Sequence, residues 1–456
     1  MYSNATFEEG LTRFLQTQGA SSSAAIQWAL KISQPTASRL LSRLADEVVP
    51  LGAGRATRYA LAHPIGTHAA VQPLWMIDGR GIAKRMGTLT FLAKSQIHVQ
   101  ADGVDQLFEP SAACALPWYL SPLRAEGFLG RIQARNLASQ GLSSNPDAWD
   151  TQSVLLAALH THDAPGSLVL GREREKSALP VLPSQDAGAA LDVMALDVAK
   201  TLPLGSSAGG EQPKFPVINE QGEHLLVKFS PPLGTPFGER WSDLLCAEVL
   251  ANEVLARHGY KAAQGNIIQT PSRTYLLSRR FDRIGASGRK HVVSVGAAHA
   301  GFVKGAYGDW ASTCEALVRQ GRLNAQDALD AHDLLQFGRL IGNTDMHSGN
   351  AALMAKGDSL AELVKGQFDL APSYDMLPMR WRPNPMVGLY DYEPFEPDLS
   401  LADEGVRLAA RDFWLSLSAH ERVSTALRGV ASRMAERMDI DVDEFGHASS
   451  LAGPRP

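Results

Sequence analysis

The pattern of hydrophobic and polar positions over residues 1–68 predicts three short helices followed by two strands. Hydrophobic side chains recur at helical spacing over residues 6–18 and again over residues 23–30. A third helix, capped by Ser33, carries one apolar stripe that consists of Ala37, Leu40, Leu41 and Leu44. Residues 48–61 then read as two strands around a Gly-Ala-Gly turn. Three helices and a hairpin in this order predict a winged helix-turn-helix.

The third helix and the hairpin of this segment carry polar side chains suited to DNA. In a winged helix-turn-helix, the third helix enters the major groove and the arginines of the wing meet phosphate or the minor groove. The candidate DNA-binding residues are therefore Thr36, Arg39, Ser42, Arg43, Arg55 and Arg58. We expect DNA binding, as a dimer on paired half-sites. The alternatives are a winged helix that binds protein or dimerises, or arginines that are plain solvated surface.

Residues 343–350, which read Asn-Thr-Asp-Met-His-Ser-Gly-Asn, form a polar loop after an apolar helix predicted over residues 327–341. The loop places Asp345 shortly before Asn350, and a second carboxylate, Asp375, follows in Ala-Pro-Ser-Tyr-Asp. A catalytic acid, an Asn metal ligand and a later metal-binding Asp are the groups with which a kinase positions a hydroxyl beside a magnesium-bound phosphate. His347 is a candidate for contact with phosphate, and a purely structural role is an equal alternative.

The upstream sequence supplies the remaining parts of a nucleotide site. Residues 205–214 are rich in Gly and Ser, which lets the backbone lie close to phosphate oxygens, although they do not form a Walker loop. A predicted buried strand then bears Lys228, which suits contact with the α- and β-phosphates. A helix over residues 241–258 follows, and the sequence leaves three partners open for this lysine: Asp243, Glu248 and Glu253. Residues 275–283 then read as a strand running into a polar turn, which is where a hinge between two lobes would lie.

Four segments resemble the HipA-like serine/threonine kinase family: 206–214, 280–283, 343–350 and 370–375. The resemblance spans about residues 75–430. Within the family, the chain is similar to the YjjJ type, which adds an N-terminal DNA-binding segment. It implies an α+β multidomain protein in which the winged helix-turn-helix precedes a two-lobed, protein-kinase-like fold with a mostly helical C-terminal lobe. It also implies transfer of the γ-phosphate of ATP to a protein serine or threonine, with ATP and Mg²⁺ as cofactors.

The resemblance assigns a role to each motif residue. Asp345 matches the catalytic aspartate, and Asn350 and Asp375 match the metal ligands. The implied ATP-binding residues are Ala208, Gly209, Gly210, Glu211, Gln212, Lys214, Lys228, Arg279, Arg280, Phe281, His347, Asn350, Tyr374 and Asp375. Ser206, or less favourably Ser207, occupies the place of a loop serine that becomes autophosphorylated. The loop is one residue longer than in the family, so the alignment within 208–214 has an alternative shifted by one position.

The expected domain boundaries combine the hydrophobic pattern with this resemblance. They are 1–68 for the winged helix, 74–200 for an accessory part of the N-terminal lobe, 201–285 for its nucleotide-binding part and 286–445 for the helical lobe. DNA binding in HipA operons comes from a separate antitoxin, whereas here we expect it within the same chain. The further partners that we expect are a protein substrate, a HipB-like antitoxin and a second copy of the chain.

The composition limits these possibilities. A chain of 456 residues with 45% hydrophobic and 20% charged residues suits two or three globular domains. A net charge of −5 excludes a protein that coats nucleic acid with its whole surface, so DNA contact must be local. The three cysteines, Cys114, Cys246 and Cys314, lack metal-ligand spacing and indicate buried thiols in a reducing cytosol. The absence of a signal-peptide pattern and of a long apolar run predicts a cytoplasmic protein without a membrane span.

Two function classes remain open from the sequence. The first is a HipA-like kinase with its own DNA-binding domain, and intact Lys228, Asp345, Asn350 and Asp375 favour it. The alternative is a DNA-binding transcriptional regulator whose kinase fold only senses nucleotide. A rival site, His-Thr-His-Asp at residues 160–163, resembles a metal-ligand cluster, but no further ligand lies at an obvious spacing.

Overall fold

The computed structural model describes residues 4–111, 114–161, 163–172, 179–200, 212–384 and 386–439. Within these ranges the strands form five sheets, and helices cover or connect them. None of the helices in the described residues is long and apolar enough to span a bilayer.

The N-terminal segment is a small helical unit closed by a three-stranded antiparallel sheet. Its elements are α1 (Asn4–Gln18), β1 (Ser21–Ser22), α2 (Ser23–Leu30), α3 (Gln34–Arg43), β2 (Val48–Leu51) and β3 (Arg58–Leu61), with sheet order β1-β3-β2. The three helices bury a shared core that includes Leu11, Ile26 and Leu40. Ser33 precedes α3, as predicted, but its hydroxyl makes no cap hydrogen bond and lies 3.0 Å from the Thr36 hydroxyl.

The second group of elements is a five-stranded antiparallel sheet with two helices. It comprises β4 (Val71–Ile77), β5 (Ala83–Phe91), β6 (Ile97–Ala101), β7 (Val104–Phe108), α4 (Gly127–Asn136), α5 (Thr151–Leu159) and β8 (Leu168–Leu170), in sheet order β7-β6-β5-β4-β8. The N-terminal segment is attached to it by hydrogen bonds, because Ala20 N donates to Gln96 Oε1 at 2.9 Å and His63 N donates to Phe91 O at 2.9 Å. Cys114, which we expected to be buried, is only half-buried here.

The third group contains the strand that bears Lys228. It comprises β9 (Val181–Leu182), α6 (Ala187–Lys200), β10 (Lys214–Asn219), β11 (His224–Phe229), α7 (Pro236–Arg257), β12 (Gly265–Gln269) and β13 (Thr274–Arg279), in sheet order β12-β13-β11-β10-β9. Side chains alternate between the two faces of a strand. Phe215, Val227 and Leu277 pack on the α6 side, so the opposite face carries Lys214 and its direct cross-strand neighbour Lys228.

The last group is mostly helical and contains the 343–350 loop. It comprises β14 (Arg283–Ile284), β15 (Gly288–Arg289), β16 (His291–Ser294), α8 (Val295–Phe302), α9 (Trp310–Arg319), α10 (Ala325–Leu340), β17 (Ala352–Ala355), α11 (Leu360–Leu363), β18 (Phe368–Leu370), α12 (Glu404–Ala419) and α13 (Thr425–Asp439). α10, predicted over 327–341, starts at Ala325 and is capped by Asn324, whose side chain accepts from Asp327 N. The loop joins α10 to β17, the central strand of the sheet β16-β17-β18.

Candidate active site

Lys228 lies between two carboxylates that come from distant parts of the chain. Its Nζ donates to Glu248 Oε1 at 2.6 Å and Oε2 at 2.8 Å, and it also donates to the carboxylate of Asp375. Glu248 is on α7, so the structure selects it among the three acids that the sequence left open. Asp243 instead accepts hydrogen bonds from Ser424 and Tyr392, and Glu253 is exposed.

In this triad, the attraction between opposite charges offsets the cost of burying them. Burial alone lowers the pKa of Lys228, but the carboxylates of Asp375 and Glu248 outweigh it and raise that pKa above its usual value. Burial likewise acts to raise the pKa of Asp375, and the neighbouring Lys228 and Lys214 lower it to about 2. The pKa of Glu248 is raised, because burial outweighs the attraction of Lys228. Lys228 and Asp375 are therefore the charged pair at the centre of the site.

Asn343 connects the 343–350 loop to Asp375, although no role of its own was predicted for it. Its buried side chain accepts from Asp345 N through Oδ1 at 3.0 Å and donates from Nδ2 to Asp375 O at 3.3 Å. Asn350 adds a second link within the loop, because its Nδ2 donates to Asp345 O at 2.7 Å. Asp345, Asn350 and Asp375 are thus fixed relative to one another. The available sequence signal was the Asx-turn pattern of an Asn two residues before an Asp.

His347 shapes the same loop through local hydrogen bonds. Its Nδ1 accepts from Gly349 N at 3.0 Å, and its carbonyl accepts from Trp310 Nε1 at 2.9 Å and from Asn350 N at 3.0 Å. These contacts support the structural alternative for His347. The side chain is also exposed, so it remains available to a ligand.

Tyr374 and Asp375 join the loop to the predicted hinge. Tyr374 Oη donates to Gly349 O at 2.6 Å, and its ring centroid lies 5.7 Å from that of Phe281. Asp375 has φ +53°, a left-handed conformation that is uncommon outside glycine and that clusters at functional sites. The hinge phenylalanine therefore packs directly beside the residue that precedes the candidate metal ligand.

Arg280, in the predicted hinge, is part of an ion-pair network. Its guanidinium donates to Asp282 at 3.0 and 2.9 Å and also pairs with Asp163, while Arg283 pairs with Asp282 at 2.5 Å and with Asp163 at 2.7 Å. Burial acts against the charge on Asp282, but the two arginines lower its pKa below the usual range. The guanidinium of Arg280 is thus held by two carboxylates, and its contact with nucleotide stays a prediction. Arg279 is half-exposed and lies 3.3 Å from Glu223.

The same network bears on the rival site at residues 160–163. Asp163 is bound by the two arginines, and the His160 ring lies edge-on to His68 with centroids 5.4 Å apart. His162 is outside the described residues. Among those that are described, no three His, Cys, Asp or Glu side chains are grouped to hold a metal ion.

Part of the predicted phosphate loop can be placed. Gln212 donates from Nε2 to Phe229 O at 2.6 Å, and Lys214 begins β10 beside Lys228. The remaining candidates of this loop lie outside the described residues: Ser206, Ser207, Ala208, Gly209, Gly210 and Glu211.

Arg382 is a site residue that the sequence did not indicate. Its NH1 lies 3.8 Å from Asp345 Oδ2, and both side chains are partly exposed. The contact joins segments far apart in the chain, and no local motif surrounds Arg382, so spacing arguments could not find it.

The candidate DNA-binding residues lie on one unit, and most of them are exposed. Arg39, Ser42 and Arg43 are on the exposed part of α3, Thr36 is half-buried, and Arg55 is on the turn between β2 and β3. Two of the arginines already have partners, because Arg43 lies 3.1 Å from Glu8 and Arg58 donates to Ala20 O.

Comparisons with known proteins identify relatives over nearly the whole chain. Residues 206–444 match the HipA-like C-terminal domain family, and residues 68–179 match the middle domain of YjjJ-like toxins. The chain is 33% identical to toxin YjjJ of Escherichia coli K12 over 441 residues, which cover 93% of this chain and 96% of that protein.

Among solved structures, the chain resembles HipA from the HipA, HipB and operator DNA complex of Shewanella oneidensis MR-1. The TM-score is 0.53 at 14% identity, over 81% of this chain and 96% of that one, and this similarity shows a shared fold. The Helicobacter pylori proinflammatory kinase CtkA overlaps with a TM-score of 0.34 at 12% identity, over 50% of this chain and 87% of that one.

Proposed function

The chain belongs to the HipA-like toxin family of the YjjJ type, and from this premise we propose that it is an ATP-dependent serine/threonine protein kinase. The observation that carries the proposal is the position of Lys228 between Glu248 and Asp375, with Lys214 beside it. A strand lysine paired to a helix glutamate beside a metal-binding aspartate is the arrangement with which protein kinases hold a triphosphate. A hydrogen bond from Asn350 Nδ2 to Asp345 O joins the candidate catalytic residue to a candidate metal ligand.

The residues present fit Mg²⁺. Asn350 uses its Nδ2 to bind Asp345 O, so its amide oxygen is the atom left for a metal ion, and Asp375 supplies a charged carboxylate. Carboxylate and amide oxygens are the ligands that this hard cation prefers. When bound, Mg²⁺ would neutralise charge on the phosphate oxygens of ATP.

The side chains of this protein account for the remaining steps. Lys228 and Lys214 attract the triphosphate, and the Asn343 hydrogen bonds hold Asp345 at a fixed position relative to Asp375. The hydroxyl oxygen of the substrate serine or threonine forms a bond to the γ-phosphorus while the bond to the β–γ bridging oxygen breaks, and ADP leaves. Asp345 orients the hydroxyl and accepts its proton late in this step. Most of the rate comes from positioning and electrostatic stabilisation.

We also propose the finer domain organisation and the remaining partners. The boundaries 1–68, 74–200, 201–285 and 286–445 describe a DNA-binding unit, an accessory unit, a nucleotide-binding unit and a helical lobe. The exposed Arg39, Ser42, Arg43 and Arg55 support operator binding by the first unit as a winged helix. The related HipA was solved with HipB and operator DNA, which supports DNA and an antitoxin as partners of this chain. Ser206 is the proposed site of autophosphorylation.

Intact-mass measurement tests the kinase proposal. The protein is first treated with a phosphatase, freed of it and then incubated with ATP and Mg²⁺, alongside Asp345→Asn as the matched control. We expect the wild-type mass to increase by a whole number of phosphates and the mass of the variant to stay unchanged. Equal phosphate incorporation in the two proteins would remove Asp345 from the mechanism. Nucleotide binding without any incorporation would favour the alternative of a nucleotide-sensing, DNA-binding regulator.

A further inference from the structure

A turn beside the candidate active site is held at both ends by one buried arginine. Arg240, on α7, donates from NH1 to Trp381 O at 2.9 Å and to Tyr390 O at 2.8 Å. Its guanidinium also lies over the ring of Tyr392, 3.7 Å from the centroid. Trp381 and Tyr390 are therefore both attached to the helix that carries Glu248.

Two backbone amides of the turn donate to one side chain, and the tip of the turn is apolar. Asn384 Oδ1 accepts from Met386 N at 2.9 Å and from Val387 N at 3.3 Å, and Gly388 closes the turn with φ +98°. Met386 is 92% exposed, Val387 64% and Tyr390 49%. We name Met386, Val387 and Tyr390 the apolar tip. Single exposed apolar residues are common, but several grouped on a hydrogen-bonded turn are typical of an interaction site.

Two contacts fix the turn relative to the candidate catalytic residue. Arg380 N donates to Gly342 O at 3.0 Å, where the 343–350 loop begins. Arg382 then places its NH1 3.8 Å from Asp345 Oδ2. The stretch that leads into the turn is therefore anchored at the start of the 343–350 loop and contacts Asp345 through Arg382.

Acidic residues follow the apolar tip. Asp391 and Glu393 are exposed directly after Tyr390. Two further acids continue the segment but have partners, because Glu396 lies 2.8 Å from Arg437 and Asp398 accepts from Ser400 N at 3.1 Å. We name Asp391 and Glu393 the acidic pair. Along the chain after Arg382, the exposed surface thus changes from apolar at the tip to negative at the acidic pair.

We propose that this surface docks the protein substrate of the kinase, and that the substrate is a basic, partly apolar segment around its serine or threonine. The inference rests on the proposed kinase function. An apolar side chain near the acceptor residue packs on the apolar tip, and a lysine or arginine further along faces the acidic pair. The charge of the acidic pair favours a basic substrate. The contact of Arg382 with Asp345 favours a substrate over a second copy of the chain, which would cover the catalytic residue.

A peptide library with a fixed serine or threonine and varied neighbours tests this. Transfer from γ-labelled ATP is measured for the wild type, for Met386→Ser/Val387→Ser and for Asp391→Lys/Glu393→Lys. Leu408→Ser/Leu415→Ser on α12 is the matched control, since both leucines are also exposed. Thermal unfolding is compared as well, and because the replaced side chains are exposed we expect it to stay close to wild type.

We expect the wild type to select an apolar position and basic positions in the library. The apolar-tip variant should raise KM for the selected peptide about tenfold, which corresponds to about 1.4 kcal/mol, with kcat and KM for ATP nearly unchanged. The charge-reversed variant should lose the basic preference. An unchanged KM and unchanged preference in both variants, with an active wild type, would overturn the docking proposal alone. If those variants change only the oligomeric state, the surface binds a second copy and the proposal is wrong. If the wild type labels no peptide or protein, the kinase function fails and the docking proposal fails with it.

Discussion

Replacing Asn343 with alanine should damage transfer much more than it damages the fold. The side chain is buried, and its amide joins Asp345 N at 3.0 Å to Asp375 O at 3.3 Å. The variant loses two hydrogen bonds, each worth about 1 kcal/mol, so the free energy of unfolding should fall by about 2 kcal/mol. The same bonds set the distance between the catalytic loop and Asp375. A shift of about 1 Å there is enough to lower kcat about 100-fold.

The assay combines transfer kinetics with thermal unfolding. Asn145→Ala is the control, because Asn145 also accepts a backbone hydrogen bond, from Asp147 N at 3.1 Å, but lies in the accessory region. We expect kcat to fall in Asn343→Ala and to stay near wild type in Asn145→Ala, with nucleotide binding retained in both. A kcat close to wild type in Asn343→Ala would refute the claim that this amide positions Asp345.

Further predictions concern the lysine triad, pH, self-phosphorylation and DNA. Glu248→Gln removes a charged partner of Lys228 and should lower kcat/KM for ATP by about tenfold to 100-fold, measured by transfer at varied ATP. The reason is that removing one partner of a buried salt bridge leaves the charge of the other partner buried and less compensated. The folded pKa of Asp375 is about 2 against an ordinary 3.8, so its stabilising contribution is present above pH 3.8 and is lost as pH falls towards 2. Thermal midpoints should therefore fall in that window for the wild type and fall less in Asp375→Asn. Ser206→Ala should be more active and more toxic when expressed, since it cannot acquire the phosphate that would repel ATP in the same loop, and unchanged growth would count against this. Arg39→Ala should weaken operator DNA binding and reduce its salt dependence in a titration at several salt concentrations.

The sequence predicted the residues of the site better than their partners. Lys228 and the 343–350 loop were found because local order along the chain identifies a strand lysine and a polar loop. Glu248 could not be chosen over its neighbours on α7, because the choice depends on which face of the helix packs against β11. The ion pair of Arg280 with Asp163 could not be predicted either, because the two residues are over 100 positions apart in sequence. Arg382 was missed for the same reason, since its contact with Asp345 follows only from the folded path of the chain.

The central claim is that Asp345 and the Lys228, Glu248 and Asp375 triad transfer phosphate to protein. The most direct measurement incubates the purified protein with Mg²⁺, γ-labelled ATP and a cell lysate, alongside Asp345→Asn. We predict a labelled lysate protein that is absent with the variant, although both proteins bind nucleotide. Nucleotide binding by the wild type with no labelled protein, or equal labelling by the variant, would contradict the account.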